Sequence, residues 1–127
     1  MTTLNSLLQP MLAPICAGGA YYQVNELQPP VYPYIVWTLA GGEPNVALDG
    51  RANLVNSRVQ IDIFDQSVAS LLAADAAFDA VIDASLQQPP GSTGLRLIPI
   101  TEAQDLFEEP VRAHRRMRDF LINWSRT

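Results

Sequence analysis

Between residues 56 and 85 the spacing of apolar side chains changes once, from two to helical, and that change narrows the fold more than any other feature of the chain. Val59, Ile61 and Ile63 alternate with Arg58, Gln60 and Asp62. A period of two built on β-branched residues specifies a strand with one buried face. From Val68 onward the spacing becomes helical, through Leu71, Leu72, Phe78, Val81 and Ile82 with alanines between them. Asp65 and Ser67 stand at the junction, where a short side-chain oxygen can accept from the free N–H groups of a first helical turn. A strand that passes through so short a turn into a long helix lets the helix fold back onto its own sheet. The expectation is an α+β domain, and the stretch carries no chemistry of its own.

The N-terminal residues predict a second helix. Leu4, Leu7, Leu8, Met11, Leu12 and Ile15 form one apolar stripe. Thr2 or Thr3 can cap it, Pro10 removes one backbone bond and should kink or divide it, and Gly18-Gly19 should end it. Residues 20–24 read as a short strand or an extended arm. Pro29, Pro30 and Pro33 hold the next segment extended. Residues 34–39 (YIVWTL) form a strand with Tyr34, Val36 and Thr38 on one face and Ile35, Trp37 and Leu39 on the other.

Residues 40–56 hold three glycines, a proline and three asparagines between two strong strands. They read as a long hairpin loop, or a hairpin with frayed tips, with Asp49-Gly50 as a turn signal. Loops beyond about 12–15 residues are usually functional or disordered. Glu43, Asn45, Asp49, Gly50 and Arg51 are therefore candidates to contact a partner. Residues 87–94 are a turn-rich loop. Residues 95–101 (LRLIPIT) alternate, and Pro99 assigns that strand to an edge. Residues 101–110 are acidic and read as a loop or a short helical turn. Residues 111–124 fit either period: Met117, Phe120, Leu121 and Trp124 suit a helix, while Phe120, Ile122 and Trp124 suit a strand.

A chain of 127 residues, 48% of them apolar, is most simply one domain over residues 1–127. It has no lysine and a net charge of −5. Up to residue 111 there are three arginines against twelve acids; from Arg112 there are five arginines against one acid. One reading is an acidic solvated surface with a basic last segment. The other is self-complementarity, in which Arg112, Arg115 and Arg116 of one copy meet Asp75, Asp79 and Asp83 on the helix of another, as a head-to-tail ring requires. The lone Cys16 lies in an apolar run and reads as a core residue. The absence of Lys or Arg before Arg51 argues against a secretory signal, and the longest apolar run, broken by Pro33, is too short for a bilayer. A soluble protein of a reducing cytoplasm, with no membrane partner, is expected.

No reaction is legible. His114 is the only histidine and has no serine motif or second metal ligand near it in sequence. Gly41-Gly42 is not followed by a phosphate-loop pattern. Asp62 and Asp65 could pair as acid and base, but Asp62 belongs to a polar strand face and Asp65 is better placed as a cap. Arg112, Arg115, Arg116 and Arg118 resemble a basic patch, yet Asp119 follows directly and the chain as a whole is acidic, which disfavours nucleic-acid recognition. The expectation is no catalytic residue, no metal and no cofactor.

The order of elements resembles a family. An apolar first helix ends in Gly-Gly. The run AYYQV…PPVYPYIVW comes next, then a segment containing LDG, the strand RVQIDIF, a long alanine-rich helix and a late HRRMRDFLINW. This is similar to the tail completion family of long-tailed bacteriophages and prophages, whose members resemble tail terminators and head-to-tail joining proteins. The resemblance spans nearly the whole chain and rests most on Pro33-Tyr34-Ile35-Val36, Val59-Gln60-Ile61-Asp62, and Arg115-Arg116 with Asp119-Phe120 and Trp124. It implies that residues 111–124 form a closing strand, with a bulge at Arg118-Asp119, in a mixed or antiparallel sheet of about four strands with helices packed on it. It also implies a structural virion protein of the tail or neck, assembled in the host cytoplasm. Such proteins form a ring, usually a hexamer, that contacts the tail tube protein or head connector and lets DNA pass without sequence-specific binding. The alternatives are another neck or minor capsid interaction protein, or a small-ligand-binding or enzymatic α+β domain.

Overall fold

The computed structural model describes residues 3–27, 29–47, 50–87 and 95–125, and the side chains of these except 42–47, 50–54 and 125. Helix α1 (Leu4–Leu12) starts from a reciprocal cap in which Thr3 accepts from the Ser6 amide and the Ser6 hydroxyl accepts from the Thr3 amide, each at 3.1 Å; Thr2 lies outside the described residues. Pro10 sits inside this one helix, and the change of geometry comes later, in a 3-10 turn at Ala13–Ile15. Gly18 and Gly19 therefore lie past the helix end and serve the next turn. A Cβ at Gly18 would collide with the Val31 carbonyl, and Gly19 turns with a φ of +83°.

The sheet has six strands, more than the four expected: β1 (Ala20–Tyr22), β2 (Tyr34–Ala47), β3 (Gly50–Asp65), β4 (Arg96–Pro99), β5 (Gln104–Glu108) and β6 (Ala113–Ser125). The order is β1-β2-β3-β6-β4, with β5 also on β6. Only β1–β2 is parallel, so the sheet is mixed and the fold is α+β. β3 feeds helix α2 (Val68–Leu86), with Ser67 rather than Asp65 at the N-cap.

Three expectations change. Of residues 40–56, those described, 40–47 and 50–56, are not a loop. β2 and β3 stay paired from Tyr34↔Phe64 out to Ala47↔Gly50, with irregularities at Leu39/Gly41 and Pro44/Val46. Ladder bonds join backbones, so a polar, glycine-rich sequence can extend a hairpin without supplying any core. Residues 101–110 are only in part the expected loop or short helical turn: strand β5 lies between the irregular residues 101–103 and a 3-10 turn at Glu109–Val111. Acidic side chains are tolerated there because Asp105 and Glu108 find arginines on β6. Residues 113–125 are a strand, yet there is no bulge at Arg118-Asp119: the β3–β6 register runs unbroken from Leu54↔Ser125 to Asp65↔His114. The alternation never changes phase; its inward positions change from apolar residues to arginine.

Residues opposite one another in an antiparallel ladder share a face. One face carries Ile35, Trp37, Val59, Ile61, Ile63, Phe120, Ile122 and Trp124, and both helices cover it to form one core. Leu4, Leu8 and Leu12 come from α1; Leu71, Ala74, Phe78 and Ile82 come from α2. Three buried polar groups on this side are matched: Trp37 Nε1 donates to Gln9 at 3.0 Å, Trp124 Nε1 to Ser57 at 3.1 Å, and the Leu97 amide to Ser85 at 2.9 Å, while one carboxylate oxygen of buried Asp65 has no partner among the described residues. Cys16 lies in this core, where burial and the Asp65 charge push its thiol up to about 11. The other face, with Tyr34, Val36, Asp62, Phe64, Arg115 and Met117, has no helix over it among the described residues.

Candidate assembly surfaces

The charged residues singled out in the sequence fall into three groups. On the helix-covered face, Asp75 is only 7% exposed and accepts from two arginines, Arg116 Nη1 at 2.9 Å and Arg118 Nη1 at 3.1 Å. Arg116 grips Asp105 of β5 with a fork at 2.7 and 2.9 Å, and Arg118 reaches Asp79 at 2.7 Å. The Arg118 guanidinium also lies 5.3 Å from the Phe78 ring centre and 5.5 Å from that of Phe120. This network ties α2, β6 and β5 together. The Arg116 fork holds the Asp105 carboxyl below its usual range.

A charge pairing thus already exists within one chain, Asp75 with Arg116 and Arg118 and Asp79 with Arg118, and one of these pairs, Asp75 with Arg116, joins two members of the predicted set. Any pairing of these groups between copies has to compete with it. Asp83 is exposed on α2 and forms no ion pair with a described residue. Arg112, at a left-handed turn, makes one exposed bridge to Glu109 at 3.3 Å. Asp79, although it pairs with Arg118, is exposed as well, so these three members of the predicted set lie on the surface. Arg118 is absent from that set, although alternation through Phe120, Ile122 and Trp124 places it, with Arg116, facing the helix.

On the helix-free face Arg115 bridges Asp62 at 2.8 Å and Glu108 at 3.0 Å. Gln60 donates to both Asp62 oxygens, at 3.2 and 2.9 Å. Asp62 is 3% exposed, and its burial outweighs these bonds and raises its carboxyl above the usual range. Beside it Phe64 stacks on Tyr34 with ring centres 5.0 Å apart, Tyr32 leans on Tyr34, and Arg115 lies 5.4 Å from the Phe64 ring centre. The segment after β1 and these side chains enclose a cleft of about 500 Å³, bordered by Asn25, Tyr32, Asp62, Phe64 and Arg115. Asp62 and Asp65 do not form a dyad, because they point to opposite faces of β3.

The third group is the β2–β3 hairpin. Of its candidate residues, Asp49 lies outside the described residues. Glu43 and Arg51 are placed only as backbone in the ladder, Asn45 falls at its Pro44/Val46 irregularity, and Gly50 opens β3. What the sequence presented as a partner-seeking loop is a two-stranded extension of the sheet.

No family model matches this chain, and no curated protein matches it in sequence. Among solved structures, a chain of the virion of a native gene transfer agent particle has the same fold. It is similar over 96% of this chain and 94% of its own length, with a TM-score of 0.61 at 19% identity.

Proposed function

We propose that this chain is a structural subunit of a phage-like particle, one that closes into a ring at the end of a tail tube or at the joint between tail and head. The observation that carries the reading is the shared fold with a chain of a gene transfer agent virion over almost the full length of both. The sequence resemblance to tail completion proteins points the same way. In this reading the protein performs no reaction, and its partners are further copies of itself, the tail tube protein or the head connector, with DNA passing through the opening. The β2–β3 hairpin supports it, since a paired two-stranded arm can reach a neighbouring ring or line a channel without depending on the core for its shape.

The fold alters which charge swap can test a ring. Reversing Asp79 and Arg116 together would not isolate a contact between copies, because both belong to one network inside the chain. Asp83 and Arg112 are better probes. Arg112→Glu should leave folding intact and weaken ring closure, read by analytical ultracentrifugation. Shortening the hairpin by removing residues 44–53 should preserve the fold and stop attachment to tail tubes. Normal attachment after that deletion would refute the arm's role.

A further inference from the structure

Two lengths of backbone in this sheet lack a neighbour on their outer side among the described residues. β1 pairs with β2 only from Ile35 to Trp37, so β2 is uncovered beyond Trp37. On the opposite margin, β4 and β5 lie along β6 and nothing lies beyond them. β1 is not a comparable edge: its Ala20 carbonyl accepts from Gln9 and its Tyr22 carbonyl from the Val24 amide.

These margins differ in sequence but match in character. Leu39 is 45% exposed on the β2 margin, and Leu106 and Phe107 are 40% and 45% exposed on β5. Ladder positions put Leu39 and Phe107 on the same, helix-covered side of the sheet. The β2 margin has a basic group beside it: Arg58 is exposed opposite Gly41, where no side chain screens it. The β5 margin has an acidic one, exposed Glu102. Neither Arg58 nor Glu102 forms an ion pair with a described residue. Asp105 and Glu108 are already neutralised from opposite faces by Arg116 and Arg115, so β5 is held in place before anything binds to it.

Direction decides how the margins can meet. From β2 through β3 and β6 to β5 every neighbour is antiparallel, giving four columns that alternate in direction. With an even number of columns the two outer strands run oppositely. A second copy added head to tail then presents its β2 antiparallel to the first copy's β5 without being turned over. An unpaired edge of this kind is a template for a further strand.

We propose that β5 of one copy pairs antiparallel with the uncovered part of β2 in the next, so that one sheet continues from subunit to subunit. The inference rests on the reading that the chain assembles with itself, and it names the surfaces that do so. Joining unlike margins satisfies both and is heterologous, which builds rings. Joining β5 to β5 would bring Glu102 of each copy to the same seam and leave every β2 margin open.

The test is cross-linking of the full-length protein with a short bismaleimide. Cys16, buried and with its thiol pushed up to about 11, should not react. Leu39→Cys and Phe107→Cys should each stay uncoupled when alone, should couple to dimers when mixed, and should give a ladder of multimers when combined in one chain. Cross-linking of Phe107→Cys to itself would overturn the proposal in favour of a two-fold β5 contact. A ring seen by native mass spectrometry with no coupling in the mixture would overturn it while leaving self-assembly intact. A monomer at every concentration, alone and in the presence of tail tubes, would overturn both. As a second arm, Arg58→Glu and Glu102→Arg should each weaken association by about two- to fivefold, the range of an exposed pair, and together restore it; failure of the pair to restore association counts against the proposed seam.

Discussion

The two faces of β6 use arginine in opposite settings. On the covered face Arg116 and Arg118 converge with α2 and β5 on Asp75, and aromatic rings close over Arg118. On the open face Arg115 holds one buried carboxylate, Asp62, in a cleft that no helix of the described residues covers. The covered network joins three elements and therefore holds the fold together. The open pair lies within the sheet itself, at a surface available to another molecule. A charged side chain on this strand is structural or available for contact according to which face alternation assigns it.

The difference between the faces faces its severest challenge at Asp75. Asp75→Ala removes the shared anion from two partly buried guanidinium groups and should cost about 3 kcal/mol in chemical denaturation; a loss under about 1 kcal/mol would mean that the network is incidental. Arg115→Ala leaves Asp62 buried beside Gln60 alone and should cost about 2 kcal/mol, reduced by the partial exposure of Arg115. Asp62→Asn should cost less than Arg115→Ala, because it removes a charge that burial already disfavours. The reverse order would show that the carboxylate is needed for stability.

Acid titration separates the faces further. Asp105, with its carboxyl lowered chiefly by the Arg116 hydrogen bonds, contributes stability above its unfolded value that is lost as pH falls through its folded value. Asp62, raised chiefly by burial, does the opposite: the cost of its charge is relieved as pH falls through its folded value towards the unfolded one. Carboxyl-detected NMR should therefore find Asp62 protonating at higher pH than Asp105. Coincident titrations would remove the distinction between the faces. The smallest effect is expected at Arg112, whose bridge to Glu109 is 75% exposed at both ends. Arg112→Ala should leave folding stability within about 0.5 kcal/mol, so a larger change would place that turn among the structural contacts.

Much of the architecture is legible in the sequence because burial writes a period into it. The change of spacing between Ile63 and Val68 marks the strand-to-helix junction, and the stripe from Leu4 to Ile15 marks α1. The hairpin extension is not legible, since its pairing is made by backbone groups and its side chains reflect no core. β5 is hidden for a related reason: an exposed edge strand shows no alternation, and its acids suggest a loop. The charged network is half legible. Asp75 and Asp79 on one helical stripe and arginines on the last strand announce complementarity, but only the fold shows that both lie on one chain. The cleft at Tyr32, Tyr34, Phe64 and Arg115 joins residues more than 80 positions apart and leaves no local signal.

Self-assembly into a closed ring is the property on which the proposed role stands. Native mass spectrometry of the full-length protein across a concentration series, with negative-stain images of the same samples, measures it. The expected result is a single closed oligomer, about six copies if tail completion proteins are the right guide, with a central opening. A monomer throughout, alone and in the presence of tail tubes, would contradict it.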